Sequence, residues 1–409
     1  MNAYYLIGER LGHSFSAAIH RCFGRYDYEL KELHPAELGP FLKSRAFSGL
    51  NVTVPYKQAV IPYLDRLDPE AAAAGSVNTV VNRNGVLWGY NTDLGGMAAA
   101  LRCAIIDPAG KRVQILGTGG TSKTALAVCR ALGAAEVRRV SRTGREGAAT
   151  YEQAAAAAAE LLFNTTPVGM FPDQEAMPLD PADLPALEAV FDCVYNPLRT
   201  RLVLAARSRG IPAEGGLRML VEQAARSCAL FTGRPVESSE VIEIYNNLLH
   251  SAENLVLIGM PGAGKTTVGR LLAQMTGRDF IDLDEEIVRR TGKPISALFA
   301  EDGEARFRDL ESDLIRELAP VGGRIIATGG GAIGRAENRI RLRQNGRLFF
   351  LDPPPEALRP TPDRPLGDTA EKLRRLYEQR RPLYIAAADH TIPDRPTPEQ
   401  AARRILELA

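Results

Sequence analysis

Between residues 254 and 274 the chain reads NLVLIGMPGAGKTTVGRLLAQ, an apolar β-type run, a glycine-rich turn and a helical pattern in immediate succession. The turn, Gly259-Met-Pro-Gly-Ala-Gly264-Lys265-Thr266, matches the phosphate-binding loop in the strand-to-helix setting that this loop requires. Each residue type has a reason to be there. Glycines let backbone N–H groups wrap phosphates at a helix N-terminus, the lysine reaches the β- and γ-phosphates, and the threonine hydroxyl binds Mg²⁺. Gly262, Ala263, Gly264, Lys265, Thr266 and Thr267 are therefore predicted to hold ATP or GTP, in an α/β domain that begins close to Ser251. The loop does not reveal the phosphoryl acceptor, because motors, GTPases and small-molecule kinases share it.

A chain of 409 residues exceeds what one hydrophobic core serves, so at least one further domain precedes this one. RVQILG (112–117) runs into Gly117-Thr-Gly119-Gly120-Thr-Ser-Lys123 and on into the helical TALAVCRALG, the strand, turn and helix that open a nucleotide-binding sheet. The third glycine of the dinucleotide fingerprint is missing, so the turn alone reads equally as an ordinary strand-to-helix connection. The next strand, EVRRVS, says more. An NAD site places an acid about 20 residues on to bind the ribose hydroxyls. Here Ser141-Arg142-Thr143 stands there, with Arg145 close by, which predicts NADP(H). AELLFNTT (159–166) and AVFDCVY (189–195) read as later strands, and the alanine run 154–159 as helix. Upstream, YYLIG and LNVTVP alternate with the helical patterns SAAIHRCF and YKQAVIPYLDRL. LRMLVEQAARSCALFTG and SSEVIEIYNNLLHSAEN are long helical patterns before the boundary.

A net charge of +1, with 45% hydrophobic and 24% charged residues, describes a soluble globular chain with no nucleic-acid or membrane partner. Five scattered cysteines without a CxxC pair suit reduced thiols, and no apolar run approaches the roughly 18 residues of a membrane span. MNAYYLIGERLGHS lacks a basic-then-apolar signal, so a cytoplasmic location is expected.

Beyond its phosphate loop, the C-terminal part carries DFIDLDEEI (279–287), ARFRDLE (305–311), ATGGGA (327–332), DRPLG (363–367) and QRRPLY (379–384), and on these it resembles shikimate kinase along its whole length. The resemblance implies Asp282 as a partner of Mg²⁺ with Thr266, and Asp284 as the group that contacts the shikimate 3-hydroxyl and takes its proton. It further implies Arg308 and Arg380 on the substrate carboxylate, Gly329, Gly330 and Gly331 lining the site, and Arg364 on a lid stabilising the transferring phosphate. Two guanidiniums suit a carboxylate because each offers parallel donors. Taken alone, Arg308 beside Asp309 and Glu311 also reads as a solvated helix face with a salt bridge. Asp282 and Asp284 alternate at strand spacing, which would point both carboxylates to one side at a strand's end. Asp352–Pro365 reads as a mobile proline-rich loop, and Arg359 lies closer to Arg364 than the family's usual second lid arginine.

Residues 4–248 resemble shikimate dehydrogenase, through IGERLGHSFSAAIH (7–20), LNVTVPYK (50–57), AGSVNTV (74–80), GYNTD (89–93), GTGGTSK (117–123), NTTPVGM (164–170), VYNP (194–197) and GGLRMLVEQA (215–224). That likeness implies Lys57 and Asp93 as an acid/base pair at the reacting carbonyl. It puts Ser14, Ser16 and Tyr195 at the carboxylate, Thr53, Asn78 and Gln223 at ring hydroxyls, and Met219 near the nicotinamide of a cofactor held by Gly117, Gly119, Gly120, Ser141, Arg142 and Thr143. Without it, Asp93 and Ser14 read equally well as helix N-caps, and Lys57 and Gln223 as exposed helical side chains. Ser141 stands where the family commonly has Asn, Lys123 where Arg is frequent and Arg218 where Gly is common; His13 and His20 lack metal-ligand spacing.

The expected architecture is then a two-lobed dehydrogenase followed by a kinase. Residues 1–104, completed by helices 216–250, would form an α/β substrate domain, 105–215 a Rossmann-like NADP domain, and 252–409 a P-loop domain. The substrates implied are 3-dehydroshikimate and shikimate. Two rivals are a dehydrogenase preferring quinate, against which Ser14 and Ser16 speak, and a nucleotide-binding regulatory module, which would have lost Lys57, Asp93, Lys265 and Asp284.

Overall fold

The computed structural model describes residues 3–12, 14–144, 147–155, 158–358, 369–393 and 397–409. The chain divides into two compact units, 1–248 and 249–409. The first holds two sheets. β1 (Tyr4–Gly8), β2 (Tyr28–Glu32), β3 (Gly49–Val52), β4 (Arg66–Leu67), β5 (Thr79–Arg83) and β6 (Val86–Tyr90) form a mixed sheet in the order β2-β1-β3-β5-β6-β4. β5 and β6 are antiparallel across Asn84-Gly85. Both turn residues have positive φ, 53° and 86°, which suits the Asn-Gly pair of a two-residue hairpin. Ile7, Leu42, Leu50, Val77, Val80 and Leu87 fill the core on this sheet.

The second sheet contains β7 (Arg112–Leu116), β8 (Glu136–Val140), β9 (Leu161–Asn164), β10 (Ala189–Asp192) and β11 (Ala213–Glu214) in the order β11-β10-β9-β7-β8, every pair parallel. β9 (LLFN) and β10 (AVFD) are buried at every residue, as a parallel sheet covered on both faces demands. The helices Thr92–Cys103 and Leu217–Thr232 pack closely. A Cβ at Gly96 would lie 2.8 Å from Gln223 Cβ and 3.0 Å from the Met219 carbonyl oxygen, so the approach needs a residue without a side chain. In the second unit β12 (Asn254–Gly259), β13 (Phe280–Asp282), β14 (Ile325–Ala327), β15 (Gly346–Asp352) and β16 (His390–Pro393) form a parallel sheet in the order β13-β14-β12-β15-β16. β12 leads directly through the glycine loop into the helix Lys265–Thr276. The reversal of strand order beside β12 opens a crevice at the strands' C-terminal ends, where ligands of such sheets bind.

Two local expectations change, and a third lies in part outside the described residues. YKQAVIPYLDRL (56–67) is a run of turns with one 3₁₀ segment, Ile61–Tyr63, and ends in β4; the Lys57 carbonyl accepts from Val77 N at 2.8 Å instead of from a residue one helical turn on. The alanine-rich helix is Tyr151–Ala155; residues 156 and 157 lie outside the described ones, and Glu160 N already pairs with the Arg112 carbonyl on the way into β9. Of the proline-rich stretch, Asp352 ends β15 and Pro355–Ala357 is 3₁₀, while 359–368, and with them the DRPLG motif, fall outside the described residues.

Candidate active sites

In the first unit Lys57 and Asp93 meet. Lys57 Nζ lies 2.6 Å from Asp93 Oδ2, with side-chain exposures of 17% and 8%, low enough to strengthen the attraction yet open enough to admit a reactant. Asp93 is not the cap of its helix. Asn91 is, accepting from Asp93 N, and Asp93 sits in the first turn, where the helix dipole favours a carboxylate. Asn78 Nδ2 donates to Asp93 Oδ1 at 2.9 Å and to Thr92 Oγ1 at 2.9 Å, and lies 3.3 Å from Gln223 Oε1. Asn78 Oδ1 accepts from Thr92 N at 2.7 Å, which fixes the amide so that its donor side faces the carboxylate. Gln223, buried on Leu217–Thr232, thus belongs to this group, and the bare exposed-helix reading fails for both Lys57 and Gln223.

Ser14, Phe15 and Tyr195 form a second group. Ser16 N donates to Ser14 Oγ at 3.2 Å, so Ser14 does satisfy a helix-start N–H. The Tyr195 ring packs 5.5 Å from Phe15, and burial pushes its phenol pKa up, partly offset by the Ser14 hydroxyl. Ser16 is buried at the start of Ser16–Phe23, and Thr53 lies against Gly8, its backbone N–H on the Ile7 carbonyl. His20 is buried too, its Nδ1 2.6 Å from Tyr26 Oη, and burial drives its pKa down to about 3.

The glycine turn of the second sheet comes up to the same lysine. A Cβ on Gly120 would lie 3.1 Å from Ser76 Oγ and 3.8 Å from Lys57 Cβ, whereas one on Gly119 would meet nothing within 4 Å. Gly117 has φ +111°, and its Cβ would press on Thr165 Oγ1 at 2.8 Å. The helix Gly120–Ala131 has no side-chain cap, leaving its first N–H groups for an anion. After β8, Arg142 and Thr143 are exposed, while Ser141 Oγ is buried with no partner among the described residues. Among the described residues, an open turn, a helix start without a side-chain cap and the absence of an acid at 141–144 fit a phosphorylated dinucleotide. Met219 is buried between the helices; Arg218 fits by pairing with Glu222 at 2.9 Å and lying over the Tyr245 ring. Arg145 and His13 lie outside the described residues.

In the second unit the loop glycines Gly259, Gly262 and Gly264 have φ of +147°, +79° and +90°, conformations that side chains resist. Lys265 folds over the loop, donating to the carbonyls of Gly259 at 2.8 Å and Met260 at 2.9 Å. Thr267 follows, exposed. Thr266 Oγ1 donates to Asp282 Oδ2 at 2.6 Å, bringing together a hydroxyl and a carboxylate, the hard oxygen donors that Mg²⁺ takes alongside water and phosphate. The strand-spacing expectation for the two aspartates fails. β13 stops at Asp282, which caps the next helix by accepting from Asp284 N and Glu285 N, and Asp284 is in that helix's first turn.

Asp284 Oδ1 and Glu311 Oε1 both crowd Gly329, at 2.7 and 2.3 Å from where its Cβ would be; a Cβ on Gly330 would strike Pro261 and one on Gly331 the Arg308 guanidinium. At Gly330 the obstacle is a proline ring, and at Gly329 and Gly331 a side chain would displace the carboxylates or the guanidinium. Arg308 is pinned by Glu304 at 3.1 Å and Glu311 at 3.0 Å, and Arg380 donates to the Gly330 carbonyl at 2.9 Å. The salt bridge read from the sequence exists, but the Arg308 side chain is 14% exposed rather than a solvated face. Arg308, Arg380, Gly330, Gly331, Glu304 and Arg335 line one pocket of about 190 Å³. Burial, and then the nearby Arg308 charge, lower the Arg380 pKa. Arg364 and Arg359 lie outside the described residues. Glu311 had no assigned role; burial pushes its carboxyl up to about 7 against the pull of Arg308. Its spacing, three residues after Arg308 on one helix, was the available signal.

A turn of this kind set against a buried Lys–Asp pair, and a separate phosphate loop beside a pocket lined by Arg308 and Arg380, define a nucleotide-dependent dehydrogenase and a P-loop small-molecule kinase on one chain. Comparison with known proteins agrees. Family models for the shikimate dehydrogenase substrate binding domain match residues 6–80, for the shikimate 5'-dehydrogenase C-terminal domain 216–243, and for shikimate kinase 261–409. The chain is 35% identical over 290 residues to a shikimate dehydrogenase (NADP(+)) of Moorella thermoacetica, covering 64% of this chain and 96% of that protein. It is 37% identical over 264 residues to that of Symbiobacterium thermophilum, covering 56% and 88%. Among solved structures, shikimate dehydrogenase 1 from Peptoclostridium difficile matches with TM-score 0.58 and 33% identity, over 61% of this chain and 98% of that one. The Thermus thermophilus enzyme in complex with NADP(H) and shikimate gives 0.55 and 33%, over 60% and 99%. The chain belongs to the shikimate dehydrogenase family and carries a shikimate kinase domain after it, a bifunctional enzyme of the shikimate pathway.

Proposed function

We propose that the first unit reduces 3-dehydroshikimate to shikimate with NADPH and that the second phosphorylates the shikimate 3-hydroxyl with ATP and Mg²⁺. The observation that carries this reading is the Lys57–Asp93 pair at 2.6 Å, set against the glycine turn that would hold the dinucleotide. When bound, NADPH supplies a hydride, and Mg-ATP a phosphoryl group. Lys57 stabilises the negative charge that develops on the substrate's carbonyl oxygen and gives that oxygen its proton, while Asp93 holds the ammonium in place. Asn78 and Gln223 face ring hydroxyls, Thr53 assists, and Ser14, Ser16 and Tyr195 take the carboxylate. Gly117, Gly119 and Gly120 receive the dinucleotide phosphates, Ser141, Arg142 and Thr143 the 2′-phosphate side, and Met219 the nicotinamide.

In the second unit Asp284 takes the proton of the attacking hydroxyl and Arg308 and Arg380 grip the carboxylate, with Gly329, Gly330 and Gly331 leaving room for the ring. Lys265 and the backbone of Gly262 to Thr267 hold phosphates, Thr266 and Asp282 the metal, and Arg364 stabilises the transferring phosphate. We divide the chain into a substrate domain of 1–104 with 216–250, a nucleotide domain of 105–215 and a kinase domain of 252–409. A cytoplasmic location suits five free cysteines, and no helix among the described residues is long and apolar enough to cross a membrane.

Two variants separate the sites. Lys57→Met is expected to lower dehydrogenase kcat by about 10²–10⁴-fold, the range for a lost general acid, with kinase turnover unchanged; Asp284→Asn should do the reverse. Wild-type dehydrogenase turnover in Lys57→Met would overturn the assignment.

A further inference from the structure

Ser227 lies one helical turn beyond Gln223, fully buried, and is assigned to nothing so far. Its hydroxyl is a junction of three elements. It accepts from Asn51 Nδ2 of β3 at 2.8 Å, meets Thr79 Oγ1 of β5 at 2.8 Å and Thr92 Oγ1 of the Asp93 helix at 3.0 Å, and is 3.1 Å from the Gln223 carbonyl. Thr79 and Thr92 are themselves 3.2 Å apart, and both reach Asn78 Oδ1, at 3.1 and 3.2 Å. Thr92 also lies 3.4 Å from Gln223 Oε1. All of these groups are at most 8% exposed, so water does not substitute readily for a lost partner.

We infer that Ser227 is a positioning residue for the dehydrogenase centre: its hydroxyl locks Thr79 and Thr92, and through them the orientation of Asn78 and Gln223 beside Asp93. A hydroxyl has one proton and two lone pairs, so with the Ser227 proton given to the Gln223 carbonyl and one lone pair taken by Asn51 Nδ2, the other lone pair is left to accept from Thr79 or Thr92. The Thr79 and Thr92 hydroxyls reach Asn78 Oδ1 beside the backbone N–H of Thr92 that already fixes it as acceptor, and so bear on how squarely Nδ2 meets Asp93. Removing the Ser227 hydroxyl leaves the Asn51 amide with one hydroxyl fewer and lets Thr92 shorten its existing 3.4 Å contact with Gln223 Oε1, drawing the Gln223 oxygen away from the ring-hydroxyl side. Substrate grip suffers first. None of the groups at this junction is among those proposed to hold the dinucleotide, so cofactor binding is expected to be unaffected.

The inference rests on the proposed dehydrogenase reading, and the test separates the two. In the full-length chain, Ser227→Ala is expected to raise KM for shikimate about tenfold in the NADP-reducing direction, with KM for NADP and kinase turnover unchanged. A role in stability alone would lower the unfolding temperature and leave KM for shikimate where it was. Thr79→Val, shape-matched on a strand and lacking the hydroxyl, should move KM the same way and serves if Ser227→Ala does not fold. Unchanged KM for shikimate in whichever of the two variants folds overturns the positioning role. A wild-type chain that does not oxidise shikimate overturns the dehydrogenase reading itself, and this inference with it.

Discussion

Asp192, at the end of β10, is fully buried, and burial pushes its carboxyl up to about 7 although Thr200, Val194 and Asn164 all donate to it. An unfolded aspartate titrates near about 3.9, so the folded chain binds this proton more tightly than the unfolded one. The stability it contributes is complete below the unfolded pKa and is lost as pH rises towards and through about 7. Asp192→Asn keeps the geometry available, since one amide oxygen accepts from Val194 N and Asn164 while its nitrogen donates to Thr200 Oγ1. The temperature at which dehydrogenase activity is lost should fall between pH 5 and pH 8 in the wild type, and the fall should shrink in Asp192→Asn. Equal slopes would remove Asp192 as its source.

Among the elements, the start of Leu217–Thr232 decides where Met219, Gln223 and Ser227 stand. Gly216 N donates to the Val194 carbonyl at 2.9 Å, and a Cβ on Gly216 would lie 2.2 Å from the Cys193 carbonyl oxygen. The obstacle is backbone, which does not swing away. Gly216→Ala should therefore cost about 1–3 kcal/mol, the usual penalty of overpacking, and shift the helix start away from Tyr195. Thermal unfolding together with KM for shikimate checks this; a fully wild-type protein would mean that β10 yields. The elements themselves were legible where pattern and packing agree, as in the phosphate loop, the apolar runs of β9 and β10 and the two long helices. They were misread where a tertiary bond overrides the local pattern: Val77 N takes the Lys57 carbonyl in place of a helical partner, and the Asp282 cap ends a strand two residues before Asp284. The Lys57–Asp93 pair was legible through motifs 36 residues apart. Ser227 was not, because a lone serine in a helical pattern carries no sign of three buried partners on other elements.

At the scale of the whole molecule, two sheets with different glycine turns stand in separate compact units. The product proposed for the first is the substrate proposed for the second, which ties the two readings to one assay. The purified chain is incubated with 3-dehydroshikimate, NADPH and Mg-ATP, and products are identified by mass with each component omitted in turn. Shikimate should form without ATP, and shikimate 3-phosphate only when all three are present. Shikimate 3-phosphate missing from the complete mixture, or no shikimate when ATP is left out, would contradict the account.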